Sequence, residues 1–460
     1  MPDEPIAKKK ISLLRVLGPS HVWGLGVGIV LVGDYMGWNY SVAKGGALAA
    51  LLACWLAGVL YSCVAMIDSE VTSSITATGG QYTQAKHIVG PVMAFNVGLY
   101  LIFTYIFLFA ANAIALAHLL TSVAEMAHLD KINPVPIMVL TIVSLAWLNY
   151  RGVYTTLTFN LILTAVAFIA IVALFIAAQP WSSEFLNHPR LLTDLPYGWL
   201  GVVASMYFGM WFFLGIEGSS QATEEVRSPA RALPHGSLLA IITLLLAANM
   251  TWYVSVGLMP WEYLGTTTMP LFDAAKLIES KPILLLVFGG TVLAIIASAT
   301  ACVNDASRVC FAMARDHYLP SWLAAIHPQF RTPHRAIIAL VPVAIAFAAL
   351  APLDKVITFS VLSGLLNYTY IGFAIILFRR QWPLGTVRRG YVHPLHPLPA
   401  ITLLALCGVG YFSIFLAYGI EMILVIAFYF MATIWFHFRR YKYVRRGQQF
   451  AMPWPRPNGF

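Results

Sequence analysis

Gly33-Asp34-Tyr35-Met36-Gly37 lies inside the first apolar stretch long enough to cross a bilayer. A carboxylate near the bilayer centre costs roughly 2.5–3.5 kcal/mol on insertion scales. Glycines on both sides of it are poor material for a continuous helix. An expensive charge between helix breakers points to a cation site rather than a lipid-facing span. The same combination recurs at Gly215-Ile216-Glu217-Gly218, again among apolar residues. Two interrupted hydrophobic segments in corresponding places are the best sequence pointer to a transporter's binding site.

The rest of the chain agrees with a membrane setting. It has 460 residues, of which 59% are hydrophobic and only 10% charged, against about 25% charged in soluble domains. Mean hydropathy is +0.76. The apolar runs suit helices, and the ten-residue alternation of a membrane β-barrel is absent. The polar start MPDEPIAKKK reads as cytoplasmic rather than as a cleavable signal peptide. Cys54, Cys63, Cys302, Cys310 and Cys407 all fall in apolar segments, an odd count without metal-like spacing. They read as small buried hydrophobes, and no metal or cofactor is expected.

The net charge of +9 is distributed by topology, not as a nucleic-acid surface. Basic residues gather at Lys8-Lys9-Lys10, Arg227 and Arg231, Arg331 and Arg335, Arg379-Arg380, Arg388-Arg389 and the tail from Arg439 to Arg446. The intervening loops hold Glu125, Asp130, Glu184, Asp194, Glu262, Asp273 and Glu279. This asymmetry predicts both termini in the cytoplasm of a plasma-membrane protein. Twelve helical spans are expected, near 20–43, 46–74, 92–121, 134–150, 157–179, 199–223, 235–259, 284–314, 335–352, 355–379, 398–417 and 420–438. The first five (20–180) and the next five (199–380) form similar blocks, each opening with a broken span. Five is odd, so the second block must be inverted relative to the first. Spans 11 and 12 (397–440) stand outside the repeat, between a cytoplasmic N-terminus (1–19) and a basic cytoplasmic tail (441–460). Loops of about twenty residues near 180–198 and 380–397 leave no room for a soluble catalytic domain.

Several stretches resemble the amino acid–polyamine–organocation (APC) transporters. Thr78-Gly79-Gly80-Gln81-Tyr82 resembles that family's AGG-x-Y turn. Glu224-Glu225-Val226-Arg227-Ser228-Pro229-Ala230-Arg231, continuing to Pro234 and Gly236, resembles its loop after span 6. Ser307-Arg308, Phe311-Ala312-Met313-Ala314-Arg315-Asp316 and Leu319-Pro320 resemble the element ending its span 8. The match covers most of residues 15–380. Within the family, Gly33 to Asn39 is most similar to the ethanolamine permeases, where an acidic or polar residue precedes an aromatic-x-Gly-Trp run.

The resemblance implies that family carriers of amino acids have a small Gly-Ser-Gly-like run at the first break. The substrate carboxylate lies there on bare backbone N–H groups, while its ammonium meets carbonyls at the second. Here Asp34 replaces the small residue. A carboxylate in that seat repels a substrate carboxylate and attracts an ammonium, at roughly 4 kcal/mol for 4 Å and an effective dielectric near 20. The alternative reading is a cap on the half-helix that follows the break. Glu217 has three readings: proton coupling, hydrogen bonding within the broken backbone, or a second substrate contact.

Trp211 stands just ahead of the second break, where the resemblance implies an aromatic that closes the site toward the outside. Tyr35, Trp38 and Phe212 flank the breaks and offer ring faces to an alkylammonium, or simply pack. Tyr105, Ser363 and Asn367 lie on spans that line the site in this fold, as do the ion-coupling candidates Ser298 and Thr300. Such residues also serve merely to bond neighbouring helices. Asp305 and Arg308, one turn apart, read as a structural ion pair. Asp68 and Glu70 read as partners for basic loop residues. Some proton-coupled relatives carry a lysine in span 5, and the run from Asn160 to Ala178 has none. That weighs against this one proton mechanism and leaves H+ coupling, Na+ coupling, exchange and uniport all open.

The leading reading is a permease for a small organic amine, with ethanolamine the best fit. Alternatives are an amino acid or diamine carrier, and a membrane-embedded substrate sensor. No HExxH, GxSxG or clustered His/Asp pattern supports an enzyme.

Overall fold

A computed structural model describes residues 17–75, 79–128, 132–181, 195–387 and 389–443. The lysine run at 8–10, Asp130, Glu184, Asp194, Arg388 and the tail beyond residue 443 lie outside them. The fold is helical, and β pairing among the described residues amounts to the isolated bridges Leu17–Val226 and Leu384–Val387. A chain immersed in hydrocarbon must satisfy its backbone groups internally, which a helix does segment by segment.

The first apolar stretch divides into α1 (Pro19–Gly28), α2 (Val32–Met36) and α3 (Trp38–Gly45). Next come α4 (Ala47–Ser74), the short α5 (Gly80–Ile88), α6 (Pro91–Met126), α7 (Pro134–Arg151) and α8 (Val153–Ala177). The second half opens with α9 (Gly198–Gly209), which passes into 3-10 turns at Met210–Phe212 and Ile216–Glu225. It continues with α10 (Pro229–Leu258), α11 (Trp261–Leu264), α12 (Pro270–Lys276), α13 (Lys281–Arg315), α14 (His334–Leu350), α15 (Leu353–Gln381) and α16 (Leu398–Tyr443).

Prolines open α1, α6, α7, α10 and α12, where a missing N–H costs nothing because the first turn has no partner for it. Asn133 also caps α7 by accepting from the Val135 N–H. Among the described residues nine helices are long and apolar enough to cross a bilayer. The α14 helix is apolar but shorter, at 17 residues. At 46 residues α16 is far longer than one crossing needs, and its backbone leaves helical geometry at Tyr418.

Most expected span limits agree with these helices to within a few residues. The largest difference is α10, which begins at Pro229 rather than near 235. Pro229 at the first position starts the helix early, and Pro234 sits inside it. The motif read as a loop therefore forms the 3-10 turns after α9 and the opening of α10.

Packing sorts the helices into two groups. The broken elements α1 and α9 lie with α4 and α10, whereas α6 packs on both α13 and α15, and α13 also on α8. The α1 helix touches α8 as well, and so bridges the groups. Small residues permit the closest approaches, as is general between helices in membranes. A Cβ on Gly45 would overlap the Gly201 carbonyl oxygen, and one on Gly209 would meet the Ala53 backbone at 3.0 Å. All five cysteines are free and buried.

Candidate functional site

The two breaks meet each other. After α1 the chain turns through Ile29–Leu31, makes the single turn of α2, and bends at Gly37. The interruption therefore begins four residues before Gly33, and Asp34 occupies the short helix between turn and bend. In the second break Gly215 adopts φ +105°, a left-handed conformation costly for any residue with a Cβ. The Ile29 side chain lies 3.0 Å from where that Cβ would be. A Cβ on Gly33 would stand 3.2 Å from the Trp211 carbonyl oxygen, and one on Gly37 would stand 3.1 Å from the Trp211 ring and 3.3 Å from that of Phe212. These glycines let two backbones touch.

Asp34 is fully buried, and neither carboxylate oxygen has a hydrogen-bond partner. It caps nothing: the starts of α2 and α3 have no side-chain cap bond. A buried ionised carboxylate without partners is strongly unfavourable. Its relief requires a cation or a proton.

Glu217, only 3% exposed, is differently placed. Both its oxygens accept from the Tyr368 hydroxyl on α15, at 3.0 Å each. The Tyr61 ring lies edge-on to Tyr368 at 5.1 Å. Tyr105 and Asn367 are fully buried with polar atoms that lack hydrogen-bond partners. Tyr105 lies within electrostatic reach of Glu217 and Asp305.

The aromatic candidates divide by their hydrogen bonds. The Tyr35 hydroxyl donates to the Ala167 carbonyl on α8 at 2.6 Å. The Trp38 indole donates to Thr251 Oγ1 on α10 at 2.8 Å, and its ring lies 4.3 Å from that of Phe212. Both polar ends are thus engaged with neighbouring helices. Trp211 is buried against the first break, and its indole N–H has no hydrogen-bond acceptor.

The hydroxyl candidates are engaged as well. Ser298 on α13 donates to the Ile29 carbonyl at 2.5 Å and accepts from Asn112 at 2.9 Å. A side chain from across the bundle thereby satisfies one carbonyl freed by the break. Thr300 donates to carbonyls of its own helix and accepts from Asn160 at 3.2 Å. Ser363 faces α16, with its hydroxyl 2.7 Å from that of Tyr429.

Tyr368, Asn112, Asn160, Thr164 and Asp305 also belong to this region, although the sequence reading did not select them for it. Asn160 and Thr164 back onto Gly28, where a Cβ would come within 2.5 Å of Asn160 Oδ1. Their i,i+4 spacing in an apolar helix was a legible signal, since it puts both on one face. Tyr368 had none: it adjoins Asn367, and neighbours on a helix point about 100° apart. Asp305 Oδ2 comes close enough to Gly218 to exclude any side chain there.

Glu70 follows its expectation, with Arg379, Arg389 and His393 around it. Asp68 does not, because Thr72, Gln81 and Gln84 hold its carboxylate instead. Gln221 extends that network from the second break to Gln81. Two amides and a hydroxyl, rather than basic loop residues, face this carboxylate.

Comparison with known proteins puts the chain among membrane transporters. A family model described as amino acid permease matches residues 16–454. An uncharacterized transporter of Rhizobium meliloti (strain 1021) is 61% identical over 453 residues, covering 98% of this chain and 97% of the relative. The methylthioribose transporter of Bacillus subtilis (strain 168) is similar at 27% identity, over 87% of this chain and 88% of its own. The branched-chain amino acid permease BcaP of the same organism is 23% identical, over 91% and 90% respectively. The chain belongs to the amino acid permease family of membrane transporters.

Proposed function

We propose that this permease carries a small organic amine lacking a carboxylate, ethanolamine being the best fit, by alternating access around the paired breaks. The observation that supports it most is the buried, unpartnered carboxylate of Asp34. An ammonium in contact with Asp34 offsets its desolvation, whereas a substrate carboxylate in the same seat meets like charge. Glu217 is already held by Tyr368, which favours one cationic seat over the two a diamine would need. Trp211 is assigned as the ring nearest the cargo, and Tyr105 and Asn367 as its polar neighbours. Tyr35, Trp38, Phe212 and Ser363 are assigned to the walls.

The proposed architecture has twelve crossings. The nine long helices are joined by α1–α3 taken together, by α14, and by a second crossing from α16 beyond Tyr418. Helices at corresponding positions of 20–180 and 199–380 pair with each other, α4 with α10 and α6 with α13. That pairing supports a five-helix repeat, its odd helix number makes the second block inverted, and the basic loops support both termini in the cytoplasm. Glu217 and Ser298 are the proposed coupling groups, tested by the H+ and Na+ dependence of uptake.

A second reading, an amino acid carrier, is favoured by the name of the similar branched-chain amino acid permease. Calorimetry on the purified protein separates the two. Ethanolamine should bind more tightly than glycine or serine, which share the amine and add a carboxylate. Asp34→Asn keeps the size and removes the charge. It should weaken amine binding by about 1.5–3 kcal/mol, the worth of a hydrogen bond to a charged group, or roughly ten- to a hundredfold and more. Equal or tighter amino acid binding, or wild-type amine affinity in Asp34→Asn, rejects the amine reading.

A further inference from the structure

A cavity of about 420 Å3 lies between α4 and the start of α10, under the Gly390–Tyr391 segment. No residue of either break lines it. Its α4 wall is Ser62, Ala65, Met66 and Ser69, and its α10 wall includes Leu238 and Ile241. Leu238 is 59% exposed, on a helix of the length and hydropathy of a membrane span. The cavity therefore opens sideways to hydrocarbon and not toward the substrate path.

Its other end is basic. Arg231 and His235, one turn apart at the start of α10, line the cavity and are both exposed. The Arg231 guanidinium has no carboxylate partner among the described side chains. His235 Nδ1 lies 2.7 Å from the Arg231 carbonyl. A carbonyl only accepts, so Nδ1 carries the proton and Nε2 is left to accept from a hydroxyl. The roof is held in place: Tyr391 N–H donates to Ser73 Oγ at 3.2 Å, and Arg389 and His393 on either side bind Glu70. Gly390 passes so close to Ala230 that a Cβ there would overlap it.

We propose that this cavity is a binding site for an anionic phospholipid of the leaflet that the Arg231 end of α10 faces. One acyl chain fills the apolar part between α4 and α10, the phosphate pairs with Arg231, and a headgroup hydroxyl donates to His235 Nε2. Charge complementarity chooses the occupant. A guanidinium at headgroup depth above an apolar slot suits a phosphate ester with a hydrocarbon tail, and a free anion leaves the slot unfilled. The bound lipid braces α4 against α10 beneath the segment that ties both to α15.

The test uses the full chain purified in a neutral detergent, titrated with phosphatidylglycerol, phosphatidylcholine or soluble glycerophosphoglycerol. Melting temperature and native mass spectrometry are the readouts. Phosphatidylglycerol should bind and stabilise, and the other two should not match it. Arg231→Ala should weaken it about fivefold, the worth of one basic residue at an anionic surface. Ala65→Phe, which fills the slot and keeps the charge, should weaken it as well. Arg335→Ala, which removes an exposed basic residue remote from the cavity, should leave affinity unchanged and so controls for net charge. Phosphatidylcholine binding as tightly, full stabilisation by the soluble headgroup, or unchanged phosphatidylglycerol affinity in both Arg231→Ala and Ala65→Phe overturns the proposal.

Discussion

Glu70→Gln is the substitution whose cost the structure defines most closely. Glu70 lies in the last turns of α4 with no side-chain exposure, and its partners Arg379 and Arg389 are 12% and 2% exposed. One oxygen accepts from Arg379 Nε at 3.0 Å and from Arg389, and the other from Arg379 at 2.5 Å and the His393 N–H at 3.0 Å. His393 Nδ1 lies 2.6 Å from the second oxygen. Glutamine keeps one acceptor and turns the other into an NH2 facing donors. Two guanidinium groups then remain buried against a neutral amide. Breaking a buried pair by removing one member costs about 3–5 kcal/mol, whereas an exposed pair is worth about 0–1 kcal/mol. Equilibrium unfolding in mixed micelles of mild detergent and SDS measures the difference. A loss of about 3 kcal/mol or more is expected, with the segment around residue 390 losing protection from proteolysis. A loss below about 1 kcal/mol refutes the reasoning and makes this cluster a solvated surface pair.

Three further outcomes follow from particular contacts. Gly45→Ala should destabilise by about 1–3 kcal/mol, because its Cβ would press on the Gly201 backbone; Gly289→Ala, with open space around it, is the silent control, and equal effects in a thermal melt sink the argument. Tyr368→Phe removes both donor contacts to buried Glu217 and should cost about 1.5–3 kcal/mol; adding Glu217→Leu should recover part of that loss, and no recovery counts against the pairing. Burial, with the neighbouring Lys86 charge, pushes His87 down to about 4, Asp316 opposing. The unfolded imidazole titrates near 6.5, so the unfolded state binds more protons between about pH 6.5 and 4, and stability falls as pH drops through that window. His87→Gln should flatten this decline in melts across the same range, and an unchanged slope rejects the assignment.

The membrane class, the helical limits and the two interruptions were legible in the sequence. Hydropathy over some twenty residues reports the solvent around a helix, and glycine beside a buried acid reports a cost that only a special backbone or a site explains. The start of α10 was missed although Pro229 at its first position carried a local signal for it. The span 10 contacts were not legible: Asn367 and Tyr368 are adjacent, and only packing decided that the tyrosine meets Glu217. Asp34 and Glu217 look alike in sequence, each an acid between glycines. Tertiary structure separates them, holding Glu217 by a tyrosine from α15 and bringing Asp34 no donor at all. Asp68 and Glu70 diverge in the same way, one meeting amides and the other guanidinium groups. The physical reason is common to all three cases. A residue type sets what a side chain can bond, and its own helix sets its direction. Its partner comes from a helix far away in the chain, whose rotation and depth are fixed only when all the packed faces are assembled.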